Sequence, residues 1–208
     1  MMRYVLILPL LAFLLLASSS IGVRAYTYTV TTLDDHDDGN CDSDCTLREA
    51  INAAQSDCWD AKDAINFDPS LSGEIHLNSP LPTITCPLVI DGDSRVTLDG
   101  GNSVNYALQI IAWDGFGIDP DVEVRNIKVK SFTYGIIASP QGQLSLDNIE
   151  ISNCSYGLVI YPNSLTESKL VASSLWVHDN SQGVYIGGSG STTIYIVRSH
   201  VYSNILQG

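Results

Sequence analysis

The feature that most constrains this chain is a repeat that runs from residue 126 to 208. Four segments follow one another there: NIKVKSFTYGII (126–137), NIEISNCSYGLVI (148–160), SLWVHDNSQGVYI (174–186) and SHVYSNILQG (199–208). Aligned on Val129, Ile151, Val177 and Val201, they step by 22, 26 and 24 residues. Each carries two apolar residues two positions apart, then a polar corner, then usually Gly and a second apolar pair. A period in the twenties, built of β-branched pairs and lacking any long helix, marks a solenoid. The Leu/Asn spacing of leucine-rich repeats is absent. One repeat then makes one rung of a parallel β-helix, with inward residues stacked in columns. The corner column reads Phe132, Cys154, Asn180, Asn204. In register, Lys128 becomes the neighbour of Glu150, and Trp176 of His200.

Before the repeats, the runs INFD (65–68), EIHL (74–77), LPTITCPLVIDG (81–92) and VTLDG (96–100) are short and β-rich, punctuated by Pro, Gly and Asp. One segment breaks the pattern. Thr46-Leu47-Arg48-Glu49 fits the S/T-x-x-E capping box, and Leu47, Ala50, Ile51 and Ala54 follow at helical spacing. A helix of about ten residues is marginal alone and needs an apolar support. The first rung of a β-helix supplies one, because it leaves unpaired backbone groups and a bare interior. The expected architecture is therefore all-β, a parallel β-helix (solenoid) with a short N-terminal capping helix. Thr46, Leu47, Glu49 and Ile51 are the expected cap residues. The capping unit spans residues 26–64 and the rungs residues 65–208. The last repeat stops at SNILQG, before a second apolar strand, so the rungs are expected to be incomplete, with end-on self-association or continuation in a longer chain.

CTLREAINAAQ (45–55) closely resembles the CSLREA motif, with Thr46 where Ser is usual, and residues 65–92 look like the first rungs of the same group. That motif heads secreted, pectin-lyase-like proteins with a right-handed parallel β-helix, so the resemblance adds the right hand to the expected fold. The resemblance implies the fold and export, and leaves activity unassigned, since fold does not fix function.

Export also follows from the N-terminus. Arg3 precedes an apolar run from Tyr4 to Ala17, and Val23 and Ala25 form an Ala-x-Ala-like cleavage site, so residues 1–25 are expected to be a signal peptide. The run is short for a bilayer span of roughly 20 residues. The chain of 208 residues carries 10 Lys and Arg against 23 Asp and Glu, a net charge of −13. Two of those ten, Arg3 and Arg24, lie in the leader. Such a chain repels nucleic acid and anionic lipid, and polyanionic sugars too unless cations bridge them. Localisation is expected to be secreted or cell-surface. Outside the cell Cys41, Cys45, Cys58 and Cys86 are disulfide candidates, with Cys41–Cys45 and Cys58–Cys86 preferred by proximity alone. Their spacing lacks paired CxxC knuckles, which argues against zinc.

Four sets of residues could carry chemistry. Asp34, Asp38 and Asp42 sit in the acidic loop DDHDDGNCDSD and resemble an imperfect calcium loop; solvated charge is the competing reading. Calcium is the one cofactor the sequence suggests. Asp147, Glu150, His178, Asp179, His200, Lys128, Lys130 and Arg198 populate the repeats, but the paired-acid signatures of polysaccharide hydrolases are missing. Trp176, Tyr156, Tyr161 and Tyr185 could form an outer strip for sugar stacking. Asn153-Cys154-Ser155 is an N-x-S acceptor, so Asn153 is a glycosylation candidate and Cys154 a buried thiol. The expected function is an exported scaffold, adhesion or cell-envelope module without catalysis of its own, with carbohydrate or envelope components as partners. The alternative is a polysaccharide lyase or glycoside hydrolase whose catalytic rungs lie mostly beyond residue 208.

Overall fold

A computed structural model describes residues 24–56, 61–111, 121–162 and 168–205. The chain winds as a parallel β-solenoid of about five turns, with a single short helix among the described residues. Each full turn has three sides. The first side carries β1 (Thr27–Val30), β2 (Asp63–Phe67), the leading halves of β4 (Leu88–Asp99), β6 (Asp121–Lys130) and β8 (Gln143–Ser152), then β10 (Ser168–Ser173) and β13 (Thr192–Val197). The second carries β3 (Gly73–His76), the trailing halves of β4, β6 and β8, then β11 (Trp176–His178) and β14 (His200–Tyr202). The third carries β5 (Tyr106–Ile110), β7 (Tyr134–Ala138), β9 (Tyr156–Ile160) and β12 (Gln182–Ile186). Every strand pair is parallel among the described residues.

The expected register holds. Val129 pairs with Ile151, Ile151 with Val177, and Val177 with Val201. The first three of these aligned side chains, Val129, Ile151 and Val177, are buried, while the last, Val201, is 41% exposed. The structure also enlarges the repeat. The aligned units begin mid-turn, and a first-side strand precedes each one, at 121–125, 143–147, 168–173 and 192–197. The run 81–92 is not one strand. Its ladder starts only at Leu88, because Pro82 and Pro87 lack the N–H that a strand donates; Ile84 makes one isolated bridge to Ile110.

Two columns of left-handed residues turn the corners. Between first and second sides stand Ser94, Asn126, Asn148, Ser174 and Arg198, with φ from 50° to 59°. Between second and third stand Ser131, Asn153, Asp179 and Ser203, with φ from 54° to 63°. Most are Asn, Asp or Ser. Short polar side chains can bond locally, which makes Asn and Asp the non-glycine residues most at home in this region. One position further on lies the inward corner column of Phe132, Cys154, Asn180 and Asn204, all buried.

The cap accounts for nearly every letter of CTLREAINAAQ. Helix α1 (Leu47–Ala54) is shorter than the ten residues expected from sequence. It buries Leu47, Ala50, Ile51 and Ala54 against the end of the core that includes Val30 and Ile65. Burying Leu47 and Ile51 stabilises the first turn by about 1.5–3 kcal/mol each. The capping box is complete: Thr46 Oγ1 accepts the Glu49 N–H at 3.2 Å, and Glu49 Oε2 accepts the Thr46 N–H at 2.9 Å. Glu49 Oε1 also accepts the Asp38 N–H at 2.9 Å, which ties the acidic loop to the helix. Cys45 closes the same loop through its disulfide to Cys41.

Arg48 is the second latch. Its Nε and Nη2 donate to the two carboxylate oxygens of Asp35, each at 3.0 Å, and the guanidinium also donates to the Pro80 and Ser79 carbonyls at 2.8 and 2.9 Å. Gln55 ends the motif by donating to the Thr83 carbonyl and accepting the Thr85 N–H, both at 2.7 Å. Among the described residues no buried side-chain nitrogen or oxygen lacks a partner. The leader expected over residues 1–25 lies, except for Arg24 and Ala25, outside the described residues.

Candidate functional site

The second side presents one outward face in two columns. Strand residues alternate in and out, so the positions flanking the inward Ile75, Leu98, Val129, Ile151 and Val177 point outward, and all but the buried Ser152 reach solvent. One column reads Glu74, Thr97, Lys128, Glu150, Trp176, His200; the other reads His76, Asp99, Lys130, Ser152, His178, Tyr202. Ion-paired residues therefore occupy the N-terminal rungs, and aromatic rings the C-terminal ones.

The two regions meet at Glu150. Lys128 Nζ lies 2.9 Å from Glu150 Oε2, and His178 Nε2 lies 3.4 Å from Glu150 Oε1. The other ring nitrogen of His178 is 2.7 Å from Asp179 Oδ2. Partial burial pushes the Glu150 carboxyl up, but Lys128 and His178 outweigh it and hold its pKa below the ordinary value. Glu150 is thus a fixed anion, suited to accepting hydrogen bonds and unsuited to donating a proton. Trp176 stacks on His200 at 4.3 Å, and His178 on Tyr202 at 5.0 Å. Trp176 is nevertheless 41% exposed and Tyr202 42%.

Beside these rings runs a groove of about 310 Å³ along the first corner. Trp176 and Tyr202 form its aromatic part, and Lys128, Glu150, Asn126 and Asn148 its polar part. Asn148 Nδ2 donates to Asn126 Oδ1 at 2.9 Å and to Ser94 Oγ at 3.1 Å, so the corner amides form a ladder from rung to rung. Flat rings beside fixed amides, an ammonium and a carboxylate suit a ligand with apolar faces and many hydroxyls.

The remaining residues singled out from sequence disperse. Tyr156 stacks on Tyr134 at 5.0 Å and Tyr161 meets Tyr185 edge-on at 6.3 Å; Tyr156 and Tyr185 belong to the third side, away from Trp176. Asp147 accepts the Ser173 hydroxyl. Lys130 pairs with Glu74 at 2.6 Å, and Arg198 turns a corner. In the acidic loop, Asp38 Oδ1 accepts the Asn40 N–H and Asp42 Oδ1 the Asp44 N–H. One group of His and carboxylate ligand atoms lies within 4.8 Å among the described residues, namely Glu74, His76 and Asp99; Asp34, Asp38 and Asp42 are not in it.

Asn153 is exposed at its corner, whereas Cys154 is 4% exposed. Burial pushes the Cys154 thiol up to about 11, which keeps it protonated and unreactive. Cys86 is disulfide-bonded, and Cys58 lies outside the described residues. Sequence reasoning missed Tyr202, Asn126 and Asn148 as members of one site. Their signal was present: each shares a repeat position with a residue already singled out or with another Asn.

No protein-family model matches this chain, and no curated protein matches it significantly. Among the described residues no helix is long and apolar enough to cross a membrane.

Proposed function

We propose that this protein is an exported β-helix scaffold that binds an extracellular or cell-envelope glycan along the outward face of its second side, without catalysis of its own. The groove carries this reading, because it sets exposed Trp176 and Tyr202 beside the amides of Asn126 and Asn148 and the Lys128–Glu150 pair. Parallel strands stack at about 4.8 Å, comparable with one pyranose unit of an extended chain. A linear glycan lying along the axis would thus meet one rung per sugar. The net charge of −13 favours a neutral chain over a polyanionic one.

The leader-like N-terminus supports secretion or surface display, and the likeness of CTLREAINAAQ to the CSLREA motif supports a place among secreted β-helix proteins. The catalytic alternative draws on His178, held between Asp179 and Glu150 as a base would be. It is the weaker reading, since Glu150 is held ionised and the groove presents no proton donor of the kind glycoside cleavage needs.

Affinity electrophoresis in gels cast with neutral linear polysaccharides tests the proposal. Retardation of the wild type by at least one polysaccharide, lost in Trp176→Ala, is the expected result. Cleavage of the retarding polysaccharide would favour the catalytic alternative. Equal mobility of both proteins in every gel would overturn the reading.

A further inference from the structure

We propose that Glu74, His76 and Asp99 form a binding site for one divalent transition-metal ion of the zinc type, for which Lys130 is the built-in competitor. The backbone sets the ligands. Glu74 and His76 stand two apart on β3, so both face outward, and Asp99 is the cross-strand partner of His76 on β4. His76 Nδ1 lies 3.2 Å from Asp99 Oδ2, and His76 Nε2 lies 4.0 Å from Glu74 Oε2. Tetrahedral ligands at about 2.0–2.1 Å from zinc stand roughly 3.3–3.5 Å from one another. His76 Nδ1 and Asp99 Oδ2 already stand close to that spacing, and one ligand atom from each of the three residues lies within 4.8 Å of the others. The 4.0 Å contact of Glu74 is to the other ring nitrogen, so the exposed Glu74 side chain swings toward Nδ1 to complete the set.

Asp99 is prepared for the role. Its Oδ1 accepts the Gly101 N–H at 3.0 Å, which fixes the carboxylate plane and leaves Oδ2 facing His76. An outer partner of this kind orients a metal ligand. Partial burial raises the Asp99 pKa, but the Gly101 N–H, Lys130, His76 and Ser131 together bring it below the ordinary value. The donor set of one imidazole and two carboxylates suits zinc-type ions, whereas calcium takes six to eight oxygens.

Lys130 Nζ now sits 2.6 Å from Glu74 Oε1 and 3.7 Å from Asp99 Oδ2. Its pKa is raised, first by the hydrogen bond to Glu74. The two carboxylates thus already hold one positive charge, and a divalent ion would neutralise both. The lysine stem is flexible and can swing into solvent as the ion enters. The site adjoins the N-terminal end of the glycan groove on the same face, since Asp99 shares β4 with Ser94 of the groove and Lys130 stands two residues from Lys128, but its three ligands are not groove residues and it does not depend on the glycan reading.

Calorimetric titration of zinc chloride into the chelator-treated mature protein tests the proposal, with His76→Ala and Lys130→Met alongside and calcium chloride as a comparison. His76 is exposed, so circular dichroism should show both variants folded. One zinc ion per chain is expected, weakened at least tenfold in His76→Ala and tightened about tenfold in Lys130→Met. Failure of both wild type and Lys130→Met to bind one equivalent would overturn the proposal. So would binding that His76→Ala leaves unchanged, since the ion would then sit on other ligands.

Discussion

Asn204 accepts the backbone N–H of Asn180 through its Oδ1 at 3.0 Å, and Asn180 does the same for Cys154 one rung earlier, at 2.8 Å. The amide nitrogens reach further back: Asn180 Nδ2 donates to the Ile151 carbonyl at 3.2 Å and Asn204 Nδ2 to the Val177 carbonyl at 3.0 Å. Each buried corner asparagine thereby accepts a corner N–H of the preceding rung and donates to a carbonyl of that rung's second-side strand. Asn180→Ala would leave the Cys154 N–H buried without its Asn180 partner, at about 1–3 kcal/mol, and would remove the bond to the Ile151 carbonyl, at about 0.5–1.5 kcal/mol. The expected result is a loss of about 1.5–4.5 kcal/mol in urea unfolding. A loss below about 0.5 kcal/mol, the range of ordinary surface substitutions, would show that the corner is not held this way.

The glycine that follows this corner is equally constrained. A Cβ on Gly157 would stand 2.6 Å from the Gly183 carbonyl oxygen and 2.7 Å from Val177 Cγ1. The first obstacle is backbone and cannot rotate away. Gly157→Ala is expected to cost about 1–3 kcal/mol or to prevent folding. A melting curve matching that of the wild type would contradict the close rung packing.

The cap gives a pH-dependent signature. Burial drives the Glu49 pKa up, but the Thr46 and Asp38 amides, the Thr46 hydroxyl and His36 outweigh it and hold it below 4.5. A folded-state pKa below the unfolded one adds stability that is fully present above the unfolded pKa and is lost as pH falls through the folded pKa. The melting temperature should therefore drop below about pH 4.5. Glu49→Gln should cost about 1.5–3 kcal/mol at neutral pH and flatten that acid limb. Asp91 and Asp99 are lowered too, so part of the limb should remain. An acid limb unchanged in Glu49→Gln would exclude the capping carboxylate as its source.

Much of this was legible in the sequence. Val129, Ile151, Val177 and Val201 recur because inward positions must be apolar and in register, and the capping box is local, so Thr46 and Glu49 announce it. Arg48 was not legible as a latch. Its carboxylate partner is 13 residues away and its carbonyl partners lie more than 30 away, at a turn that only the fold brings near. The site was legible in part. Lys128–Glu150 and Trp176–His200 follow from repeat alignment, but the groove also needs the corner asparagines, and their left-handed conformation becomes evident only once the turn is traced. The scatter of Tyr156 and Tyr185 onto the third side has the same cause, since a sequence repeat gives rung position without saying which side of the triangle a residue occupies.

The central claim is that a neutral glycan lies along the axis over the second side, one sugar to a rung. Calorimetric titration of the mature protein with oligosaccharides of increasing length, cut from whichever neutral polysaccharide retards it, measures this directly. Affinity should climb with each added sugar until the chain spans the rungs from Lys128 to Tyr202 and then level off. Trp176→Ala should weaken the longest ligand at least tenfold, in line with about 1–3 kcal/mol for a lost aromatic stack. An affinity independent of chain length, or unchanged in Trp176→Ala, would contradict the account.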